Sequence, residues 1–467
     1  MSAPKQQMRL ALFTFPPFVH HYAEAWRHPQ DMSGGLYRQA QPAVWAHEAR
    51  MLEAMKFDAL FVGDVGGIFN AHADGPSQAL RLGTQSVQFF APTLASMVAG
   101  AAPRLGVMIT LSTIELNPWT TARLLNSLDH LTEGRVGWNV VTSANRALAE
   151  NLGTSPIPHD ERYAMAEEYL ELCYRLWESW EPDALLLDRV SGLFADPDKV
   201  HEVNFEGEHY RCRGPLNMPR SPQTHPVIVQ AGQSERGREL AARHAEVMFT
   251  ITPSLPAMQA HYADVKARME RFGRRPEDLA VLPAVMPIVG ATESEAQEKY
   301  ETMQNIATIE AGLNWVSGYT GWDFASVDAG TPLSELDSSQ FFGVQSAFGS
   351  ANPGPGDLDI TPHMRKGPQS AEPTVADLGM AHAEGMAPKI VGTPSQVADQ
   401  LEQIFDAHGA DGFMVSAVHH PLSVEEFAPV VAELQRRGRF RTEYEGRTLR
   451  DRLGTRPLPL SRSPAAT

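Results

Sequence analysis

Residues 134–163 read GRVGWNVVTSANRALAENLGTSPIPHDERY. An apolar run ends in Asn139, Thr142, Ser143 and Asn145, and His159 and Tyr163 follow four residues apart. Other apolar runs along the chain end in the same manner. One closes on Asp64, and one on Thr110 with Ser112 and Thr113 behind it. Another closes on Gln230, Gly232 and Ser234, and the first leads through Pro16-Pro17 to His20 and His21. Most of these groups are uncharged donors and acceptors. His20-His21 has no carboxylate or third His at ligand spacing, which argues against a metal. No Gly-x-Ser-x-Gly elbow or Cys–His arrangement points to covalent hydrolysis. A neutral, hydrogen-bonding, partly aromatic mouth suits an organic cofactor. Gly232-Gln233-Ser234 opens a helix, so its free N–H groups can face a phosphate, and Ser234 equally suits a plain N-cap. Asp64 equally suits a turn cap. Asp160 reads as an N-cap for the helix that follows it. With Glu161 it repels an anion, so a phosphate there needs Tyr163, Arg162 or the fifth loop to compensate.

Positioning such groups requires a scaffold that gathers strand ends. Eight β-rich runs, at 9–15, 59–64, 105–110, 135–142, 226–232, 247–252, 280–290 and 412–418, alternate with helical patterns. The clearest helical patterns are 44–57, 164–180, 234–245 and 395–409. Eight strands each followed by a helix predict an α/β fold, a (β/α)8 TIM barrel with insertions, whose chemistry sits at the C-terminal strand ends. The apolar part of each strand is expected to fill the barrel. A doubly wound open sheet is the alternative, but neither G-x-G-x-x-G after the first strand nor G-x-x-x-x-G-K-[ST] is present. Two segments break the rhythm. Residues 184–222 read as a hairpin-bearing excursion. Residues 311–388 contain ANPGPGDLDITPHMRKGPQS, too rich in Gly and Pro for regular structure, and are expected to form a lid. One domain over 1–455 with a mobile tail at 456–467 is expected.

The 467 residues carry 56 Asp+Glu against 39 Lys+Arg, a net charge of −17, which disfavours nucleic acid and anionic membranes as partners. Cys173 and Cys212, the two cysteines, lack metal-ligand spacing, and Cys173 falls in a helical apolar pattern. A reducing, cytoplasmic setting is expected. The run LALFTFPPFV ends in Pro-Pro and His-His rather than a cleavage site, and no apolar run approaches the ~20 residues of a membrane helix.

Longer stretches carry a family resemblance. HHYAEAWRHP (20–29), LDHLTEGRVGWNVVTSANRALAENLG (128–153), HDERYAMAEEY (159–169) and GPLNMPRSPQTHPVIVQAGQSERG (214–237) run in family order. GWDFASVD (321–328), VGTPSQVADQL (391–401) and RRGRFRTEYEGRTLRDRLG (436–454) complete the series. The chain resembles the two-component, FMN-dependent monooxygenases of the bacterial luciferase-like superfamily. Within it the chain resembles the group of nitrilotriacetate monooxygenase component A, dibenzothiophene-sulfone monooxygenase and long-chain alkane monooxygenase. Ala91-Pro92 replaces the usual Glu-Pro, Pro118-Trp119 replaces Pro-Tyr, and the first loop, FPPFVHHYAEAW, departs in length and composition.

The resemblance implies FMN contacts at Asp64, Thr110, Asn139, His159, Tyr163 and Ser234, with Asn139 facing the flavin ring. It implies reduced FMN supplied by a separate NAD(P)H:flavin reductase through diffusion, O2 as co-substrate, and insertion of one oxygen atom into a small organic substrate. Few cations reach the mouth, so an apolar or aromatic substrate is expected. His20, His21 and Asn139 are the expected catalytic residues, one histidine hydrogen-bonding the activated oxygen. A homodimer or homotetramer is expected. The alternatives are a deazaflavin-dependent oxidoreductase on the same barrel and a non-catalytic flavin-binding protein.

Overall fold

The computed structural model describes residues 6–17, 22–29, 40–336, 373–418 and 422–457. Its centre is a closed barrel of eight parallel strands: β1 Arg9–Thr14, β2 Ala59–Val62, β3 Gly106–Ser112, β4 Val136–Val141, β5 Val227–Gln230, β6 Val247–Thr250, β7 Ala280–Val289 and β8 Gly412–Ser416. Neighbours pair in sequence order, and β8 returns to β1 through Arg9↔Gly412 to Phe13↔Ser416. Every predicted strand is present and the sheet closes, so the open-sheet alternative falls. A short further strand, Lys389–Gly392, pairs with Met286–Val289 and extends β7 beyond the barrel rim.

Alternation along the strands divides the interior into two cores. In β4, Val136, Trp138 and Val140 point outward into the layer between sheet and helices. There Trp138 meets Tyr169 and Trp177 of the helix His159–Trp177, with ring centroids 6.0 and 6.3 Å away. The expectation that this strand's apolar residues fill the barrel is therefore corrected. The lumen is filled by the opposite set, among them Phe13, Phe61, Met108, Val229, Phe249 and Leu282. The N-terminal end of the barrel is tied by buried polar groups that precede the strands. Asp58 accepts from Leu10 N at 2.8 Å and meets Arg441, while Glu246 holds Arg450.

The 184–222 excursion is two antiparallel hairpins, Leu185–Asp188 with Leu193–Ala195 and Phe205–Glu206 with Arg211–Cys212. The second is stapled to the long helix, because the Glu168 carboxylate accepts from the N–H groups of Glu208, His209 and Tyr210. The 311–388 stretch is not wholly irregular. It begins inside the helix Ile309–Thr320, which packs on the helix Val375–Ala383. Gly312 makes that crossing possible, since a Cβ there would overlap the Gly379 carbonyl. The Gly/Pro-rich part, 337–372, lies outside the described residues, as does the tail from 458. Among the described residues no helix is long and apolar enough to cross a membrane.

Candidate active site

The C-terminal strand ends open into one cleft of about 1390 Å³, its open mouth included. All six residues expected to hold the cofactor line it: Asp64, Thr110, Asn139, His159, Tyr163 and Ser234. Register explains the first wall. Thr110 and Asn139 are cross-strand partners on β3 and β4, so both side chains point the same way. Asn139 Nδ2 donates to Thr110 Oγ1 at 3.0 Å, leaving the buried Asn139 Oδ1 with no hydrogen bond among the described residues. An unpaired buried carbonyl is costly, so this oxygen marks where a ligand N–H belongs.

Asp64, just beyond β2, accepts from Ala91 N at 3.0 Å and so caps the helix Ala91–Ala101, while also facing the cleft. Burial pushes its carboxyl up to about 7, with the nearby Glu115 adding to the effect. Glu115 is itself raised by burial. This second carboxyl was missed in the sequence, because it lies on the loop after β3 with no spacing relation to Asp64.

The opposite corner is built from β5 and the start of two helices. Ser234 Oγ accepts from Gly237 N at 3.1 Å, the N-cap bond of the helix Glu235–His244, and lies 3.3 Å from His159 Nε2. Both readings of Ser234, cap and cleft residue, therefore hold together. The Tyr163 hydroxyl engages Ser234 and Thr142, and burial raises its pKa. Asp160 is not the N-cap of the long helix: the helix starts at His159 with Pro158 in the cap position, and Asp160 instead pairs with His159 Nδ1 at 2.7 Å. The compensating charge comes from Arg162. This side chain is buried, donates to Ile157 O and Thr142, and keeps Nη2 without a hydrogen bond among the described residues. Gln233 Nε2, on this wall, is likewise buried and has no partner among the described residues. The orphaned donors, the serine hydroxyl and the helix N-terminus together fit an anionic group.

The floor is aromatic: Phe13 stacks on Phe249 at 4.9 Å and meets Phe61 edge-on at 5.0 Å. Above it, the helix Ile309–Thr320 brings Trp315 and Tyr319, whose rings stack at 5.6 Å, and the following segment brings His382 and Met386. Sequence reasoning missed these residues. The i,i+4 spacing of Trp315 and Tyr319 was the available signal, whereas nothing local connects His382 to the barrel. Burial lowers the His382 imidazole to about 4, so it stays neutral, and its Nδ1 must donate to Leu378 O at 3.0 Å. His20 and His21, expected to be catalytic, lie outside the described residues. No cluster able to hold a metal exists among the described residues.

A closed (β/α)8 barrel whose strand ends form a neutral wall, an anion corner and an aromatic floor defines a TIM-barrel enzyme that works with an organic cofactor. The profile of the luciferase-like monooxygenase family matches residues 25–412. The dibenzothiophene-sulfone monooxygenase of Rhodococcus erythropolis (strain XP) is 39% identical over 99% of both chains. The nitrilotriacetate monooxygenase component A of Aminobacter aminovorans is 40% identical over 96% of both. A solved riboflavin lyase with modified FMN and riboflavin superposes with a TM-score of 0.86 at 32% identity, covering 97% of both chains. The chain belongs to the luciferase-like monooxygenase family and is an FMNH2-dependent monooxygenase.

Proposed function

We propose that this chain is the oxygenase component of a two-component system, receiving reduced FMN from a separate NAD(P)H:flavin reductase and oxygenating a small apolar or aromatic substrate. The observation that carries the substrate class is the lining of the cleft. Arg162 is its one Lys or Arg among the described residues, and it sits in the anion corner beside Tyr163 and Thr142. Away from that corner and the polar wall of Asp64, Thr110 and Asn139, the floor and roof are Phe13, Phe15, Phe61, Phe249, Trp315, Tyr319 and Met386, with a neutral His382. Two relatives of nearly equal identity are named for an aromatic sulfone and for a polycarboxylate, so identity alone does not choose between them. A polycarboxylate needs several cations to replace its water, and this lining does not supply them.

In this reading the Ser234 hydroxyl, His159, Tyr163, Arg162 and the N-terminus of Glu235–His244 hold the FMN phosphate. Asn139 Oδ1 accepts from the ring system, and Thr110 fixes the orientation of that amide. Bound reduced flavin supplies the electrons that activate dioxygen for transfer of one atom to the substrate, the other leaving as water. The chain's own tasks are then to orient the ring, to seat the substrate on the aromatic floor and to exclude water. Trp315, Tyr319 and Met386 close the cleft from the side of the insertion and perform the last task. His20 or His21 is proposed to hydrogen-bond the activated oxygen.

The test supplies the protein with FMN, NADH and a generic flavin reductase, and compares aromatic sulfones and alkanes with aminopolycarboxylates. Substrate-dependent oxygen uptake with a mono-oxygenated product from the first group supports the reading. Turnover of the polycarboxylates alone, or flavin reduction by this chain without the reductase, removes it.

A further inference from the structure

The hairpin Leu185–Asp188/Leu193–Ala195 stands out on the molecular surface. Leu185, Leu186, Leu187, Val190, Leu193 and Phe194 are all exposed, Val190 at 98% and Phe194 at 66%. Summed over both faces of the hairpin and including backbone, these residues leave on the order of 600 Å² open. A contact that encloses both faces would bury most of the ~800 Å² that each side of a stable protein interface contributes.

The hairpin is ordered although it packs on little. The Asp188 carboxylate accepts from Val190 N at 2.8 Å and from the Ser191 hydroxyl, and Gly192 N donates to Asp188 O at 3.0 Å. Asp196 N donates to Ala184 O at 2.8 Å, closing the base. A preformed surface loses little entropy on binding. Among the described residues both strand edges lack a further neighbour in the sheet, and edges of this kind are templates for pairing.

Position decides what it is for. The helix preceding it starts at His159 in the cleft and runs 19 residues, about 28 Å at 1.5 Å per residue, before the hairpin begins. Arg220, on the same excursion, bonds Trp180 O, and Pro219 O bonds His130 near the N-terminal end of β4. The patch therefore lies at the barrel end remote from the cleft, where it serves neither substrate entry nor flavin delivery. Charge selects the occupant. Residues 184–195, ALLLDRVSGLFA, hold one Asp and one Arg in a chain of net charge −17. This is a neutral contact point at which two equally acidic molecules meet with least repulsion.

We propose that this hairpin is a self-association surface: it pairs with the same hairpin of a second copy across a two-fold axis, burying the leucines and Phe194 of both. The test is the molar mass of the full chain by light scattering and sedimentation, for wild type and for Leu186→Glu/Phe194→Glu. The wild type should be at least dimeric at micromolar concentration, and the double variant should lose at least half of that mass. Melting temperature and FMN affinity should hold, because the substituted positions are exposed and far from the cleft. A monomeric wild type overturns the proposal. So does a variant of unchanged mass, which would place assembly elsewhere. A monomer that binds lipid vesicles or the reductase through the hairpin gives the surface another occupant and overturns it equally.

Discussion

Gly232→Ala probes the anion corner most directly. A Cβ on Gly232 would stand 2.5 Å from the Tyr163 hydroxyl and 3.2 Å from Gln230 Oε1, where ordinary contact begins at 3.4 Å. The backbone of Gly232 does not adopt a positive φ, so the cost is steric. The hydroxyl must retreat by about 1 Å, out of reach of Ser234 and Thr142. Overpacking costs about 1–3 kcal/mol, and a lost hydrogen bond to a charged group about 1.5–3 kcal/mol. FMN should therefore bind about 10–100-fold more weakly. In a Tyr163→Phe background the colliding atom is gone, and the same glycine substitution should cost less than about threefold more. Fluorescence titration of FMN on the four proteins, with melting curves as a folding control, gives the coupling. Equal losses in the two backgrounds, or an unchanged dissociation constant in folded Gly232→Ala, would refute the assignment of Tyr163 to the phosphate.

Ser234→Ala removes a cap bond and a cleft hydroxyl together, so stability should fall by about 1 kcal/mol and FMN affinity about tenfold; a fall in melting temperature alone leaves only the cap. Arg162→Met should cut the preference for FMN over riboflavin by about 10–100-fold in paired titrations, while equal loss for both ligands would place the guanidinium away from the phosphate. Asp64 carries a folded-state pKa near 7, above the ordinary 3.8, so the folded chain holds this proton more tightly. Its contribution is fully present below about pH 4 and is lost as pH rises toward and through 7. Wild-type stability should decline across that window relative to Asp64→Asn, and FMN affinity should weaken above pH 7 in the wild type alone; parallel profiles would count against the shift.

The barrel was legible because each of its strands is buried on both faces and reads as a short, dense apolar run. The strand Lys389–Gly392 was not, since four residues that extend β7 past the rim carry no such density. Inward and outward faces were equally hidden: Trp138 and Asn139 are neighbours in sequence, yet one packs on a helix and the other faces the cleft. Thr110, Asn139 and Ser234 could be found because strand ends converge in this fold. Trp315, Tyr319 and His382 could not, because their approach depends on how one inserted helix crosses another, which is a tertiary matter. Asp160 misled for a local reason: a favourable cap residue sat two positions beyond the true cap position, Pro158.

That helix crossing offers the remaining test, of whether the insertion controls the fate of activated oxygen. Gly312 meets the Gly379 backbone so closely that a methyl group would overlap the Gly379 carbonyl oxygen. A backbone atom cannot rotate away as a side chain does, so Gly312→Ala must separate the helices Ile309–Thr320 and Val375–Ala383 or tilt one of them. Such overpacking costs about 1–3 kcal/mol. The displacement carries Trp315, Tyr319 and His382, which line the cleft, but not Ser234, His159 or Arg162, which belong to other elements. FMN affinity should therefore hold while water reaches the reaction more easily. We expect less product and more hydrogen peroxide per reduced flavin consumed, with uncoupling increased severalfold and little change in the flavin dissociation constant. Gly100→Ala, at a helix position where a Cβ meets nothing within 4 Å among the described residues, controls for a general effect of alanine. Unchanged coupling in a folded Gly312→Ala, or a loss of FMN affinity equal to the loss of product, would remove the helix pair from this role.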